Sequence, residues 1–481
     1  MYLVYAHRLF GFTPDDTFIF LRYARNWATG AGPVFNPGEA VQGYTSTLWL
    51  AWLAIVTPLS HDPVLAVKLS SAVLGLSLLF ACYAVARELL PDRRFPLAPL
   101  LLVGFLDLPF WAVSGMDTLL FAALANVALY WYLVSWRVPR AALAVGACLA
   151  LAGLARPEGI LVAAAVGAFE WHRTAHRPSR LFLWSLAAAL AVIACQYAWA
   201  LAEYGSLLPN SYYAKRIAVP GALAGGIRYL RDFLKFSSGA FVLLLAGLAF
   251  LDDRARSAVR MLAGVAALLV AYVVWVGGDP WGTVGSQRFF VVLLPMLAVL
   301  MDVGAGALAG LVRPHCTTRR VRVLAVASAA VVLGTFLNPT GIGSRPAKDV
   351  GGDREMAEYM ASLARPGDAL VVTDIGQFGY YSGLRIIDTY GLVTPFVART
   401  LTKIDFNRYT PESTARLVAY VFAAHPRFII LKGGMVDGQP QIADECAAPA
   451  IFADPRFALH YRFLRASRRE PYLLYLREGT E

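Results

Sequence analysis

Residues 13–30, "TPDDTFIFLRYARNWATG", decide how the rest of the chain is read. Two adjacent acids, Asp15 and Asp16, open a stretch in which Phe18, Ile19, Leu21, Tyr23 and Trp27 are interleaved with Arg22 and Arg25. If residues 16–28 are helical, the acids lie at the helix N-terminus, where the helix dipole favours a carboxylate. Asp15 and Arg22 are seven residues apart and so share nearly one face. The apolar residues cover the remainder, as on a helix lying at a membrane surface. An isolated acidic pair at such a place is ordinarily a helix cap; what it does here depends on where the membrane lies.

Of the 481 residues, 58% are hydrophobic and 16% charged, and the mean hydropathy is +0.55. Soluble domains run at about 45–50% apolar and roughly 25% charged, so the chain reads as a polytopic α-helical membrane protein. The net charge of +11, from 43 basic and 32 acidic residues, does not indicate a nucleic-acid partner. Most arginines sit in short loops between apolar segments, the positive-inside pattern. Cys82, Cys148 and Cys195 fall in apolar segments, Cys316 in a basic loop and Cys446 alone near the C-terminus, which implies no disulfide framework. No cleavable signal peptide is evident. "MYLVYAHRLFGFT" falls short of the ~20 apolar residues that cross a bilayer and reads as the stub of a first helix.

Ten further apolar segments follow, at 64–87, 97–113, 117–135, 140–155, 158–171, 181–203, 237–252, 261–277, 288–311 and 322–337. Basic clusters after alternate segments, around Arg87, Arg137, Arg173, Arg254 and Arg313, fall on one side, which is then cytoplasmic. Residues 46–60, "STLWLAWLAIVTPLS", are apolar but short, and no Lys or Arg follows them before the next segment. A full span there would put every later basic loop outside, so the stretch reads as an interfacial or re-entrant helix. The expected architecture is therefore about eleven transmembrane helices over residues 1–338, with an outside loop at 13–63. Residues 339–481 form a small extracytoplasmic α/β domain, because "REMAEYMASLARPGDALVVTDIGQFGYYSG" reads as helix, turn, buried strand and Gly-rich turn.

Other outside segments share the chemistry of the acidic pair. Residues 207–216, "LLPNSYYAKR", hold Asn210, Tyr212, Tyr213, Lys215 and Arg216; residues 277–288, "GGDPWGTVGSQR", hold Asp279, Trp281 and Arg288. Carboxylates to accept a proton, cations to bind phosphate and aromatic rings to stack on a sugar are the parts needed for glycosyl transfer from a lipid phosphate. Each loop also has a plain reading, since aromatic girdles and cations are common at membrane interfaces.

The stretch "DDTFIFLRYARNWATGAGPVFNPGEAVQGYTSTLW" resembles the first outside loop of GT-C glycosyltransferases. It is most similar to the family of the mycobacterial terminal β-(1→2)-arabinofuranosyltransferase. The similarity continues in order through "SGMDTLLF" (114–121), "LARPEG" (154–159), "SLLPNSYYAK" (206–215), "VGGD" with "RFF" (276–290), and "DIGQFGYYS" followed by "IDTYGL" (374–392). The short first helix and the length of the C-terminal region are departures. The resemblance implies a catalytic acid or base at Asp15 or Asp16, with the first of the pair preferred. It implies a polyprenyl-phosphate-linked sugar donor, arabinofuranose foremost, and a cell-envelope glycan acceptor on the outer side of a bacterial inner membrane. Arg22, Lys215, Arg216 and Arg288 become the candidates for the donor phosphate. Asn210, Tyr212, Tyr213, Asp279 and Trp281 become the candidates for sugar or acceptor. No cofactor is required, although some GT-C enzymes hold a divalent cation beside the matching acid.

His172 and His176 in "HRTAH" have metal-ligand spacing but lie in a basic loop without a nearby carboxylate or Cys, so no metal site is assigned there. Gly376 and Gly379 follow a strand as G-x-x-G and read as a tight turn. Asp374 and Asp388 are loop acids, and Glu158 is an acid near the membrane whose plain role is a buried pair with Arg156. Two rival functions stand beside the arabinosyl reading: hexose or mannose transfer by the same chemistry, and a lipid-glycan transporter or flippase that binds without reacting.

Overall fold

Backbone in lipid has no water to satisfy its N–H and C=O groups, so the apolar stretches become helices. The computed structural model describes residues 2–93, 95–215, 222–237, 239–279, 287–312, 351–405, 407–468 and 470–479. Among them, five helices are long and apolar enough to cross a membrane: Pro63–Leu89, Thr118–Ser135, Arg180–Tyr204, Arg256–Trp275 and Arg288–Ala309. A sixth is added if the bent pair Ala222–Phe236 and Phe241–Leu251 is one broken span. The chain is a multi-pass helical membrane protein.

Several expected spans take another form. Segment 97–113 is two short helices, Ala98–Gly104 and Asp107–Ala112, because the backbone turns extended at Phe105. Segments 140–155 and 158–171 are helices of 14 and 15 residues, Ala142–Ala155 and Gly159–Arg173. At 1.5 Å per residue each is roughly 20 Å long, short of the ~30 Å hydrocarbon core. Segment 322–337 lies outside the described residues. Residues 46–60 hold a ten-residue helix, Thr47–Val56, whose N-cap Ser46 accepts the Trp49 amide at 3.3 Å.

The chain divides into two compact units. The first comprises Met1–Phe12, Val67–Gln196 and Ala222–Lys348 and contains most of the long apolar helices. The second comprises Thr13–Ala66, Tyr197–Gly221 and Asp349–Glu481. It is built on a mixed sheet of six strands: β1 (Ala369–Val372), β2 (Arg385–Asp388), β3 (Phe428–Val436), β4 (Gln439–Ile442), β5 (Tyr461–Ala466) and β6 (Tyr472–Arg477). The strand order is β2-β1-β3-β6-β5, with β4 on the far end of β3. β1 runs parallel to both β2 and β3, and β6 is antiparallel to β3 and β5. Val371, Ile387, Ile429, Leu431 and Leu473 join one buried cluster with Leu417 and Val421 of the helix Pro411–Ala423. The alternation of side chains along each strand sets which residues meet that helix.

Residues 15–28 form a helix, Asp15–Ala28, with both acids in its first turn and Arg25 in its last. Phe18, Ile19, Phe20, Leu21, Tyr23 and Ala24 are all buried, so this is an interior helix of the second unit and not the membrane-surface helix its apolar spread suggested. It packs on the helix Ile375–Ser382, which follows β1. The two-residue gap between β1 and that helix brings Asp374 and the first helical amides to the carboxyl-terminal edge of the sheet.

Candidate active site

In open α/β sheets, ligands bind where parallel strands end in loops, outside their carboxyl ends. In the second unit that edge is formed by β2, β1 and β3, and most of the acids and cations discussed below gather there. The hydroxyls of Thr373, after β1, and Thr389, after β2, are hydrogen-bonded at 2.8 Å, tying the two loops together.

Asp15 sits at the β1 loop. Its Oδ2 accepts the Gly376 amide at 2.7 Å and its Oδ1 the Gln377 amide at 2.8 Å, so it closes the start of the helix Ile375–Ser382. The approach is close enough to require glycine. A Cβ at position 376 would stand 2.0 Å from the Asp15 carbonyl oxygen, and one at Gly351, where φ is +81°, would stand 2.8 Å from the Asp15 Cβ. Loss of solvent around the Asp15 carboxyl, with the charge of Asp374 added, outweighs the two amides and pushes it up to about 8. Asp16 is half-buried on the same turn and adds a smaller like charge.

Behind Asp15 runs a chain of polar groups. The Gly352 amide donates to the Tyr472 hydroxyl at 3.0 Å, and that hydroxyl donates to Asp374. Lys432 of β3 pairs with Asp374 at 3.0 Å and with Glu445 at 3.2 Å. Burial opposes the Lys432 charge, but the two carboxylates outweigh it and hold the ammonium above its ordinary value. Sequence reasoning missed this network; the signal that could have found it is a lysine inside the apolar stretch "RFIILKGG" (427–434), whose partners, 13 and 58 residues away, only the fold supplies. Among the described residues no group of three or more His, Cys, Asp or Glu side chains is placed to hold a metal ion.

Arg22 is 1% exposed. Its Nε donates to the Phe35 carbonyl at 2.7 Å, Nη1 to Gly379 at 2.6 Å, and Nη2 to Leu384 at 2.7 Å and to Asn36 at 3.2 Å. The guanidinium is thus engaged by three backbone carbonyls and the Asn36 side chain.

At the β2 loop, Asp388 is buried and accepts the amides of Tyr390 at 2.7 Å and Val393 at 3.0 Å. Burial still pushes its carboxyl up to about 6. Against this loop packs the short helix Asn210–Lys215. Asn210 is 1% exposed; its amide donates to Gly391 O at 2.7 Å and its carbonyl accepts Arg399 Nε at 3.3 Å. It joins the helix Asn210–Lys215 to the loop after β2 and to Arg399. Tyr213 lies beneath Arg399, 4.9 Å from guanidinium carbon to ring centre, while Tyr212 is 42% exposed. Lys403 donates to Ala214 O at 2.8 Å and stands 3.5 Å over the Tyr390 ring, and burial draws its ammonium down to about 8. Lys215 ends the helix.

The first unit holds the remaining described candidates. Arg288 and Asp279 pair at 2.6 Å with side chains 7% and 2% exposed. Arg156 binds Asp117 through Nε at 3.0 Å and Nη2 at 3.2 Å, so "LARPEG" pairs with the acid of "SGMD" and not, as the sequence suggested, with Glu158. Thr118, Arg156, Glu158, Arg288 and Phe289 line one cleft between these helices. Arg216 and Trp281 lie outside the described residues. The candidates therefore fall into two sets, with Asp15, Asp16, Arg22, Asn210, Tyr212, Tyr213 and Lys215 in the second unit and Asp279 and Arg288 in the first.

Residues 345–475 match a family described as a domain of unknown function (DUF8728). The terminal β-(1→2)-arabinofuranosyltransferase of Corynebacterium glutamicum is 28% identical over 338 residues, 60% of this chain and 47% of the relative. That of Mycobacterium tuberculosis is 30% identical over 245 residues, 46% of this chain and 37% of the relative. The chain thus spans less than half the length of either curated relative. Among solved structures, ArnT from Cupriavidus metallidurans bound to undecaprenyl phosphate superposes with a TM-score of 0.61 at 13% identity, covering 100% of this chain and 98% of that one. The oligosaccharyltransferase AglB from Archaeoglobus fulgidus, in complex with an inhibitory peptide and a dolichol-phosphate, gives 0.58 at 11%, covering 94% and 75%. The chain is a distant homologue of the terminal β-(1→2)-arabinofuranosyltransferases and has a GT-C-like fold.

Proposed function

We propose that the protein is a GT-C glycosyltransferase that moves a sugar from a polyprenyl-phosphate donor to a cell-envelope glycan. Arabinofuranose is the sugar favoured by the distant homology. The observation that carries the reading is the acidic pair at 15–16, with Asp15 clamped against the Gly376 and Gln377 amides and raised to about 8. A carboxylate of that proton affinity is suited to accept a hydroxyl proton near neutral pH. In the reaction, Asp15 takes the proton of the acceptor hydroxyl, the hydroxyl oxygen attacks the anomeric carbon, and the bond from that carbon to the phosphate oxygen breaks. The electron pair leaves with polyprenyl phosphate. Asp16 is the second acid of the pair.

Lys215, with Arg216 from its sequence position, supplies charge for the donor phosphate, and Tyr212 an exposed aromatic face for the sugar. Arg288 and Asp279 neutralise each other, and separating a buried pair of this kind costs about 3–5 kcal/mol; we therefore assign them to the framework of the first unit. Arg22 is likewise a framework residue. The acids and the sheet domain lie on the extracytoplasmic side in this reading, opposite the basic loops, with the remaining apolar segments completing about eleven spans over residues 1–338.

The test is sugar transfer by purified protein in nanodiscs, given polyprenyl-phosphoryl arabinose and an arabinan oligosaccharide. Product from the wild type, abolished in Asp15→Asn or Asp16→Asn with donor binding retained, is expected. Donor binding without product from arabinosyl or mannosyl donors, together with lipid-glycan translocation that survives Asp15→Asn, would replace the transferase by a flippase.

A further inference from the structure

The arginines of the two units differ in whether a carboxylate already answers them. Arg288 and Arg156 are each closed by a buried acid, Asp279 and Asp117. Arg399 is not. It lies on the helix Pro395–Thr400, is exposed, and among the described residues has no ion-pair partner. Its position is nevertheless fixed from two sides. The guanidinium rests 4.9 Å over the Tyr213 ring, and Nε donates to Asn210 Oδ1 at 3.3 Å. Asn210 is itself held by Gly391 O at 2.7 Å and Leu392 O at 3.3 Å. One edge of the guanidinium is thereby occupied, while Nη1 and Nη2 make no hydrogen bond among the described residues.

The surroundings are cationic. Lys403 binds Ala214 O, one residue from Lys215 at the end of the same helix. Asp388, the acid facing Lys403, already accepts the amides of Tyr390 and Val393. A planar guanidinium stacked on an aromatic ring, held at Nε and open at both terminal nitrogens, presents the paired donors that suit two oxygens of one phosphate. A stacked arginine has also surrendered much of its rotamer freedom, so less is lost when the anion binds.

We propose that Arg399, oriented by Asn210 and Tyr213, contacts the phosphate of a lipid-linked phosphosugar. This rests on the glycosyltransferase reading for the identity of the lipid, and on the geometry alone for the anion.

The test is binding of undecaprenyl phosphate and of inorganic phosphate to the full-length protein in detergent, with neutral undecaprenol as the control. Arg399→Gln keeps a donor toward Asn210 and removes the charge; because the residue is exposed, the variant should fold, which its melting temperature checks. Expected are a roughly tenfold or greater loss of undecaprenyl phosphate affinity in Arg399→Gln, partial retention in Arg399→Lys, and no change for undecaprenol, in line with the value of a charge-assisted hydrogen bond. A parallel loss for inorganic phosphate identifies a general phosphate site; a loss confined to the lipid identifies one that reads the lipid-linked group, and either supports the assignment. Equal affinity of Arg399→Gln and wild type for undecaprenyl phosphate overturns the role of Arg399 and leaves the transferase reading standing. If the wild type binds no undecaprenyl phosphate at all, both fall.

Discussion

Asp15 and Arg22, seven residues apart on one helix, grip opposite ends of a second helix: Asp15 accepts the Gly376 and Gln377 amides, and Arg22 donates to the carbonyls of Gly379 and Leu384. The spacing fits. Seven residues rise about 10 Å, close to the length of the eight-residue helix Ile375–Ser382. The charges also fit, since the acid meets the positive end of the helix dipole and the arginine the negative end. The same pair therefore holds two distant segments of the chain together and sets the acid of the candidate site in place.

Arg22 is expected to matter for stability rather than for donor affinity. Arg22→Met removes the donor to Leu384 O, while Phe35 O keeps the Asn26 side-chain amide and Gly379 O the Gly383 amide; a buried acceptor left unsatisfied costs ~1–3 kcal/mol. A loss of that order in detergent unfolding is predicted, with Arg22→Lys recovering only part. Normal stability combined with weakened phosphate binding would return Arg22 to the donor site.

Asp15 should give the protein a pH signature. Its folded value of about 8 lies above the ordinary 3.8, so between these values the folded state holds a proton that the unfolded chain has released. The stability it contributes is full below about pH 4 and is lost as pH rises through about 8. Followed from pH 5 to 9, the melting temperature of the wild type should fall relative to that of Asp15→Asn as pH rises, and the relative fall should level off above about pH 8. A constant difference across that range would contradict the raised value. If Asp15 is the base, turnover also rises through the same region and levels off above pH 8.

Gly376→Ala places a methyl 2.0 Å from the Asp15 carbonyl oxygen. Overpacking at a rigid contact costs ~1–3 kcal/mol, and here it also displaces the acid. Both a lower melting temperature and a loss of transfer are predicted, whereas Gly367→Ala, with open space around it, should affect stability alone through its positive φ. Retained transfer in Gly376→Ala would show that the Asp15 clamp is dispensable.

The Asp117–Arg156 pair predicts a double-mutant result. With side chains 1% and 9% exposed, breaking it by Asp117→Asn should cost about 3–5 kcal/mol, while the double change Asp117→Leu, Arg156→Met recovers most of the loss. Additive losses, measured by unfolding in detergent, would mean that the two residues do not act as a pair.

The membrane character of the chain, the helix beginning at Asp15 and the mixed helix-and-strand nature of the C-terminal region were legible because each depends on local composition and periodicity. The helices at 142–155 and 159–173 match the short segments 140–155 and 158–171, but the break at Phe105 was not legible, since hydropathy counts apolar residues without seeing where the backbone turns. The motifs "DDTF", "SGMD", "LARPEG", "SLLPNSYYAK" and "DIGQFGYYS" singled out stretches whose polar side chains the fold pairs or buries, yet residue type alone left their charges interchangeable.

Which charge meets which was decided only in three dimensions. Arg22 and Arg399 are the same side chain with opposite prospects: the first is enclosed by backbone carbonyls, the second stands exposed on Tyr213. Asp15 is an ordinary carboxylate in sequence and a perturbed one in the fold, because Gly376, Gln377 and Asp374 reach it from more than 350 residues away. Sequence by itself determined the class of protein and the chemistry available, through short-range pattern and composition. The tertiary structure decided which of those groups remain available to react or bind, because desolvation and pairing depend on neighbours that only the folded chain supplies.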